Sequence, residues 1–205
     1  MNALEDRSTA NRQWSRTAET RSQILNAARE VFTEQGFGDA SVASVVDRAG
    51  SSVGSIYHHF GGKAELFIAL WEDHQRETED RASRAVAKAK KSGMSHPLEM
   101  FAVGARAYFD NTWDRRGLVR MFMDGNGPPG FELMRRKRSR DWVRQNAVLL
   151  DVGSSPAERL LIAAMTSIVG EAAREIIVCS SKREANQIAE AALGLTARLD
   201  PRHLE

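Results

Sequence analysis

The stretch Ser41–Lys63, SVASVVDRAGSSVGSIYHHFGGK, limits what this chain can fold into more than any other part of it. Val42, Val45, Val46 and Ala49 recur at i, i+3, i+4 and i+7, which lays one apolar stripe along a short helix. Ser41 precedes that helix as an N-cap, its hydroxyl placed to accept from a free amide of the first turn. Gly50 stands just past the last turn, where a left-handed residue closes a helix. Ser52 is placed to cap a second helix, with Val53, Ile56 and Phe60 expected on its inward side. Gly54, Ser55, Tyr57, His58 and His59 are then less committed to a core. Two short helices joined by a tight glycine corner make a helix-turn-helix, whose second helix can enter a major groove.

The rest of the chain reads as helix around that corner. Residues 1–16 are polar and form an expected flexible arm, solvated despite Arg7, Arg12 and Arg16. From Thr17 a helix carries Ile24, Ala28, Val31 and Phe32 at i, i+4, i+7 and i+8 and stops at Gly36. Residues 17–63 thus form a three-helix DNA-binding unit, with Thr20 and Arg21 near the start of its first helix and able to meet a phosphate. Lys63 opens a long helix, with Gly62 as cap and Glu65 at its third position. Residues 64–205 continue as a larger helical domain. Pro97 suits a first helical turn, and Ser155-Pro156-Ala157-Glu158 and Ser181-Lys182-Arg183-Glu184 both read as capping boxes. No segment sustains period-two alternation, so the fold class is all-α, with around nine helices.

Charge and motifs exclude several functions. Residues 1–63 hold seven basic and seven acidic residues, so the corner must bind through a few placed contacts more than bulk charge. The run RRKRSR (Arg135–Arg140) would span every face of a helix, which makes it a solvated face with one or two arginines pairing across to another element. Gly125, Gly127 and Gly130 fit G-x-G-x-x-G, but no strand pattern precedes them and two prolines lie within, so no dinucleotide site is expected. Adjacent His58 and His59 point about 100° apart on a helix, poor geometry for a metal. No catalytic constellation and no cofactor site emerge. Cys179, the single cysteine, sits among Ile176, Ile177 and Val178 and reads as a buried, inert thiol. Neither a secretory signal nor a membrane-length apolar run is present, so a cytoplasmic protein is expected.

The sequence AGSSVGSIYHHFGGKAELF resembles the signature of the TetR family of transcriptional regulators, and the likeness extends upstream through ILNAAREVFTEQGF, covering residues 17–70. That resemblance implies phosphate contacts from Tyr57 and Lys63, and a base-facing first turn at Gly54 and Ser55. His58 would meet a base or phosphate, and His59 a phosphate or the following helix. Ser41, Ser44 and Ser52 complete the candidate DNA-facing set, Ser52 chiefly as a cap. The resemblance also implies a homodimer joined through the last two long helices. Their apolar positions are Leu161, Met165, Ile168 and Ala172, then Ile188, Ala192, Leu195 and Leu199. A small-molecule effector is expected in the second domain. Trp71, His74, Phe101, Tyr108, Phe109, Trp113, Phe122, Met123, Trp142 and Met165 are the candidates to line its cavity, most of them as ordinary core. The implied function is a ligand-responsive repressor on a near-palindromic double-stranded DNA operator. The alternative is an architectural or interaction protein that uses the helix-turn-helix without an effector.

Overall fold

The computed structural model describes the backbone of residues 3–200 and the side chains of residues 17–200. Met1, Asn2, residues 201–205 and the side chains of the basic arm, Arg7, Arg12 and Arg16 among them, lie outside the described residues. Among the described residues there are nine α-helices and no strand. They divide into two compact units: residues 1–73 with 121–129, and residues 74–120 with 130–205.

The first unit is built on α1 (Ala3–Asp39), α2 (Val42–Ala49), α3 (Val53–His59) and the opening turns of α4 (Lys63–Lys91). The helical backbone of α1 begins at Ala3, well before Thr17, where the sequence reading starts the helix after a flexible arm. At Gly36 the helix breaks (φ 75°, ψ 168°), in agreement with the glycine stop read from the sequence. Its expected stripe is the one buried: Ile24, Ala28, Val31 and Phe32 are almost inaccessible to solvent. They share the core with Val45 of α2, Ile56 of α3 and Leu66, Phe67 and Leu70 of α4. Phe67 ties this core together, with its ring 5.8 Å from Phe32, 5.0 Å from Phe37 and 5.3 Å from Phe122, each edge to face.

The second unit holds the remainder of α4, α5 (Pro97–Asp114), the first turns of α6 (Arg116–Met123), α7 (Phe131–Leu149), α8 (Pro156–Ile176) and α9 (Lys182–Ala197). Its core is Phe101, Ala105 and Phe109 of α5 against Ile162, Met165, Ala172 and Ile176 of α8 and Ala185, Ala189 and Ala192 of α9. Small residues on α9 let it lie close to α5 and α8. The edge of this packing is fastened by charge: Arg106 pairs with Glu190 and Lys182 bonds Asp110 at 2.7 Å, both joining α5 to α9. Between α4 and α5, Asn111 donates to Thr78 Oγ1 at 2.8 Å, and Thr78 in turn donates to the His74 carbonyl at 2.8 Å.

The loop 124–130 separates α6 from α7 as composition required, and Gly130 (φ 83°) precedes α7. The capping box at Ser155 forms in full, the Glu158 carboxylate accepting from the Ser155 amide at 2.9 Å. The second box forms only in part. Ser181 accepts from the Glu184 amide, but the Glu184 carboxylate reaches the amide of Ser180 instead of Ser181. Within the basic run, Arg138 pairs with Glu79 and Gln75 of α4 and stacks over Trp142, whereas Arg135 and Arg136 pair along α7 with Glu132. One arginine reaching across while its neighbours stay on their own helix matches the reading of this run.

Candidate nucleic-acid interface

The helix-turn-helix is set by three local devices. Ser41 Oγ accepts from the Ser44 amide at 3.0 Å and Ser52 Oγ from the Ser55 amide at 3.1 Å, so both short helices start on a satisfied donor. Gly50 adopts the left-handed conformation (φ 59°, ψ 36°) and donates its amide to the Val46 carbonyl, which ends α2 and turns the chain. A residue with a Cβ would be strained there. Arg48 then fastens α2 to α1, bonding Glu34 through both terminal nitrogens (2.9 and 3.2 Å) and Glu30 at 2.9 Å. The guanidinium holds the Glu34 carboxyl below its usual range, and the two carboxylates raise the Arg48 pKa.

Ile56 anchors α3, wholly buried. Around it the helix exposes Gly54, Tyr57 (56% accessible) and His58, with Ser55, His59 and Phe60 half-buried. Tyr57 therefore lies outside the core, as the sequence pattern expects. Val53 does not face inward as expected: it is 48% accessible. At about 100° per residue it lies some 60° from Ile56 but only some 40° from Tyr57, so on a two-turn helix it joins the outer stripe. That angle is the signal the stripe reading overlooked.

The remaining candidates have defined surroundings. Lys63, the first residue of α4, donates Nζ to the Gly38 carbonyl at 3.0 Å and sits 4.6 Å from the centre of the Phe37 ring. An ammonium has three donors, so two remain for an anion. Arg21 lies 5.0 Å over the Phe60 ring, near the end of α3. Thr20 is half-buried on α1. The hydroxyls of Ser41 and Ser44 face each other at 2.8 Å, so a base contact from Ser44 would compete with that bond. Gly61 and Gly62 carry positive φ (101° and 153°) between α3 and α4, and the Tyr57 ring lies 3.6 Å from where a Cβ on Gly62 would stand. The His58 and His59 rings are 5.1 Å apart and tilted, and no cluster of three metal-ligating side chains exists among the described residues.

The residues expected at the effector site and at the dimer interface occupy different surroundings. Trp71, Phe122 and Met123 fall in the first unit; His74, Phe101, Tyr108, Phe109, Trp113, Trp142 and Met165 fall in the second. Phe101, Phe109 and Met165 are closely packed core. A pocket of about 250 Å³ lies between α5 and α9, lined by His96, Leu98, Ala102, Leu193 and Thr196 with two neighbours, none of them among the ten candidates. On the last two helices Met165, Ala172 and Ala192, expected at a dimer interface, are instead buried within this chain, in the core that α5 forms with α8 and α9. Leu161, Ile168, Ile188 and Leu199 are partly buried against that core. Outward stand Leu160 (71% accessible) and Leu195 (51%), and added Cβ atoms at Gly170 and Gly194 would meet nothing within 4 Å. No helix among the described residues is long and apolar enough to cross a membrane.

Residues 24–70 match the family model described as bacterial regulatory proteins, tetR family. The chain is 37% identical over 78 residues to the HTH-type transcriptional repressor AcnR of Corynebacterium diphtheriae, a match spanning 38% of this chain and 41% of that protein. It is 43% identical over 67 residues to the HTH-type transcriptional regulator TtgR of Pseudomonas putida, 33% of this chain and 31% of the relative. The chain therefore aligns with less than half the length of these relatives. The fold likeness is broader. A transcriptional regulator from Rhodococcus sp. Rha1 superposes with a TM-score of 0.66 at 19% identity, over 88% of this chain and 97% of the other. NalD of Pseudomonas aeruginosa, described as the secondary repressor of the MexAB-OprM multidrug efflux pump, gives 0.65 at 18% identity, over 89% and 96%. The capped helix-turn-helix that exposes its second helix lies inside residues 24–70, so it is this segment of the chain that is similar to the tetR family of bacterial regulatory proteins.

Proposed function

We propose that this protein is a transcriptional repressor that binds a near-palindromic DNA operator as a homodimer and is released by a small apolar or aromatic effector. The observation that carries the DNA reading is α3 itself. Two N-caps, a left-handed glycine and an Arg48 clamp hold a seven-residue helix whose outer stripe is not used by the core. Tyr57 and Lys63 contact phosphate and position the helix; the outer stripe of α3 meets base edges and specifies the site. The start of α4 at Lys63 adds free amides and a favourable dipole for the same phosphate.

One such unit touches too little DNA for tight specific binding, and a two-fold dimer places two copies in successive major grooves about 34–36 Å apart. The outward faces of α8 and α9 support that dimer, with Leu160 and Leu195 as apolar contacts and Gly170 and Gly194 allowing close helix approach. Effector binding shifts the balance between two dimer geometries and needs unequal affinity for them. Repression is favoured by the relative named as a repressor. A cytoplasmic location goes with this role. Footprinting on the DNA upstream of the protein's own gene tests the reading: a protected palindrome is expected, and no protected site there or in a random-sequence selection refutes it.

A further inference from the structure

We propose that Val53 reads a thymine methyl group, so that each operator half-site carries a thymine where the first residue of α3 meets the major groove. The inference rests on the DNA-binding reading above and adds the chemistry of the base that is read. Elimination leads to it. The Ser52 hydroxyl accepts from the Ser55 amide and is held at the cap, and Ser55 is half-buried. Gly54 has no side chain, and a Cβ there would meet only Ser52 Oγ at 3.9 Å, so the backbone can approach a base closely. From Ser52 to Phe60 there is no Arg, Lys, Asn or Gln, hence no bidentate partner for guanine or adenine. The outer stripe is therefore Val53, Gly54, Tyr57 and His58, and the isopropyl group of Val53 is its only aliphatic side chain.

In a major groove the thymine C5-methyl is the one apolar group among the base edges. Val53 placed against it buries hydrocarbon on both sides. Placed against a G·C pair, the same side chain would cover donors and acceptors that it cannot satisfy, which penalises the wrong base as well as rewarding the right one. Burying one methyl is worth about fourfold in affinity, so a symmetric pair of thymines contributes about fifteenfold to a dimer.

The test uses the full chain and the palindrome found by footprinting or by selection from random sequence. Thymines are replaced in symmetric pairs by deoxyuridine, which removes only the methyl, and binding is followed by fluorescence anisotropy. One pair should cost the wild type about fifteenfold. The same replacement should cost Val53→Ala less than twofold, and Val53→Thr, which keeps one methyl, should fall between. Val53 is half exposed, so both variants should keep the wild-type melting temperature. If no replacement weakens the wild type more than twofold, or the loss persists in Val53→Ala, Val53 does not read the methyl. Failure to bind any DNA would instead refute the reading beneath it.

Discussion

Replacing Lys63 by Met separates a phosphate contact from a structural one. Nζ already donates to the Gly38 carbonyl and lies over the Phe37 ring, so the ammonium is held in place with two donors to spare. Methionine keeps the apolar stem on Phe37 and removes the charge. Each phosphate neutralised contributes about −0.9 to the slope of log K against log salt, so a dimer that loses two flattens by about 1.8. Between 50 and 200 mM salt that makes the affinity ratio of wild type to variant shrink by about twelvefold. Anisotropy titrations on the footprinted palindrome and on an unrelated duplex measure it, and the loss should be similar on both because phosphate contacts carry no sequence information. Equal slopes in the two proteins would refute the phosphate role, even if affinity had fallen. A fall in affinity that is the same at every salt concentration would instead trace to the lost Gly38 bond.

Ile56→Ala empties a fully buried site under α3 and should destabilise the chain by about 2–5 kcal/mol in urea melts, with operator binding lost alongside. Leu160→Ser with Leu195→Ser should leave the melting behaviour of the diluted protein near wild type but shift it to monomer in sedimentation velocity; an unchanged dimer would place the interface elsewhere. Glu158→Gln should lower stability at neutral pH. The carboxyl is held below its usual range by the Ser155 hydroxyl, then by the Ser155 and Gly153 amides. A depressed folded pKa gives stability that is present above the unfolded value and lost as pH falls through the folded one, so the variant and wild type should converge as the pH is lowered past the depressed folded value.

Much of this architecture was legible because it is written locally. A cap needs one hydroxyl three residues before an amide, and a left-handed stop needs one glycine. Ser41, Ser52, Ser155 and Gly50 were therefore readable from spacing alone, as was the α1 stripe, where each position repeats the next within two turns. What failed needed knowledge of the partner. Met165, Ala172 and Ala192 form as good an outward stripe as an inward one until α5 is known to lie against them. Val53 was misassigned for the converse reason: on a helix of seven residues a 60° offset from the anchor is enough to leave the core. Glu184 shows the same limit on a small scale, since a backbone path shifted by one residue sent its carboxylate to Ser180.

Three of the four described Arg and Lys residues of the first unit also bear on how the proposed interface works. Arg48 is committed to Glu30 and Glu34, Arg21 lies over Phe60, and Lys63 is bonded to Gly38 beside Phe37. Each of these contacts joins an element of the helix-turn-helix unit to a neighbour, so positive charge here holds α2, α3 and the start of α4 in place. In a segment whose formal charge is balanced, attraction to DNA is not available in bulk, and affinity has to come from groups already standing where the groove will be. Under the proposed function, preorganisation then substitutes for charge: the ordering cost is met in folding and not at the operator. It follows that variants in this unit act through two distinguishable routes. Moving α3 weakens binding equally at all salt concentrations, whereas losing a phosphate partner changes the slope, so Arg48→Ala, whose guanidinium is taken up by two carboxylates, belongs to the first route and Lys63→Met to the second.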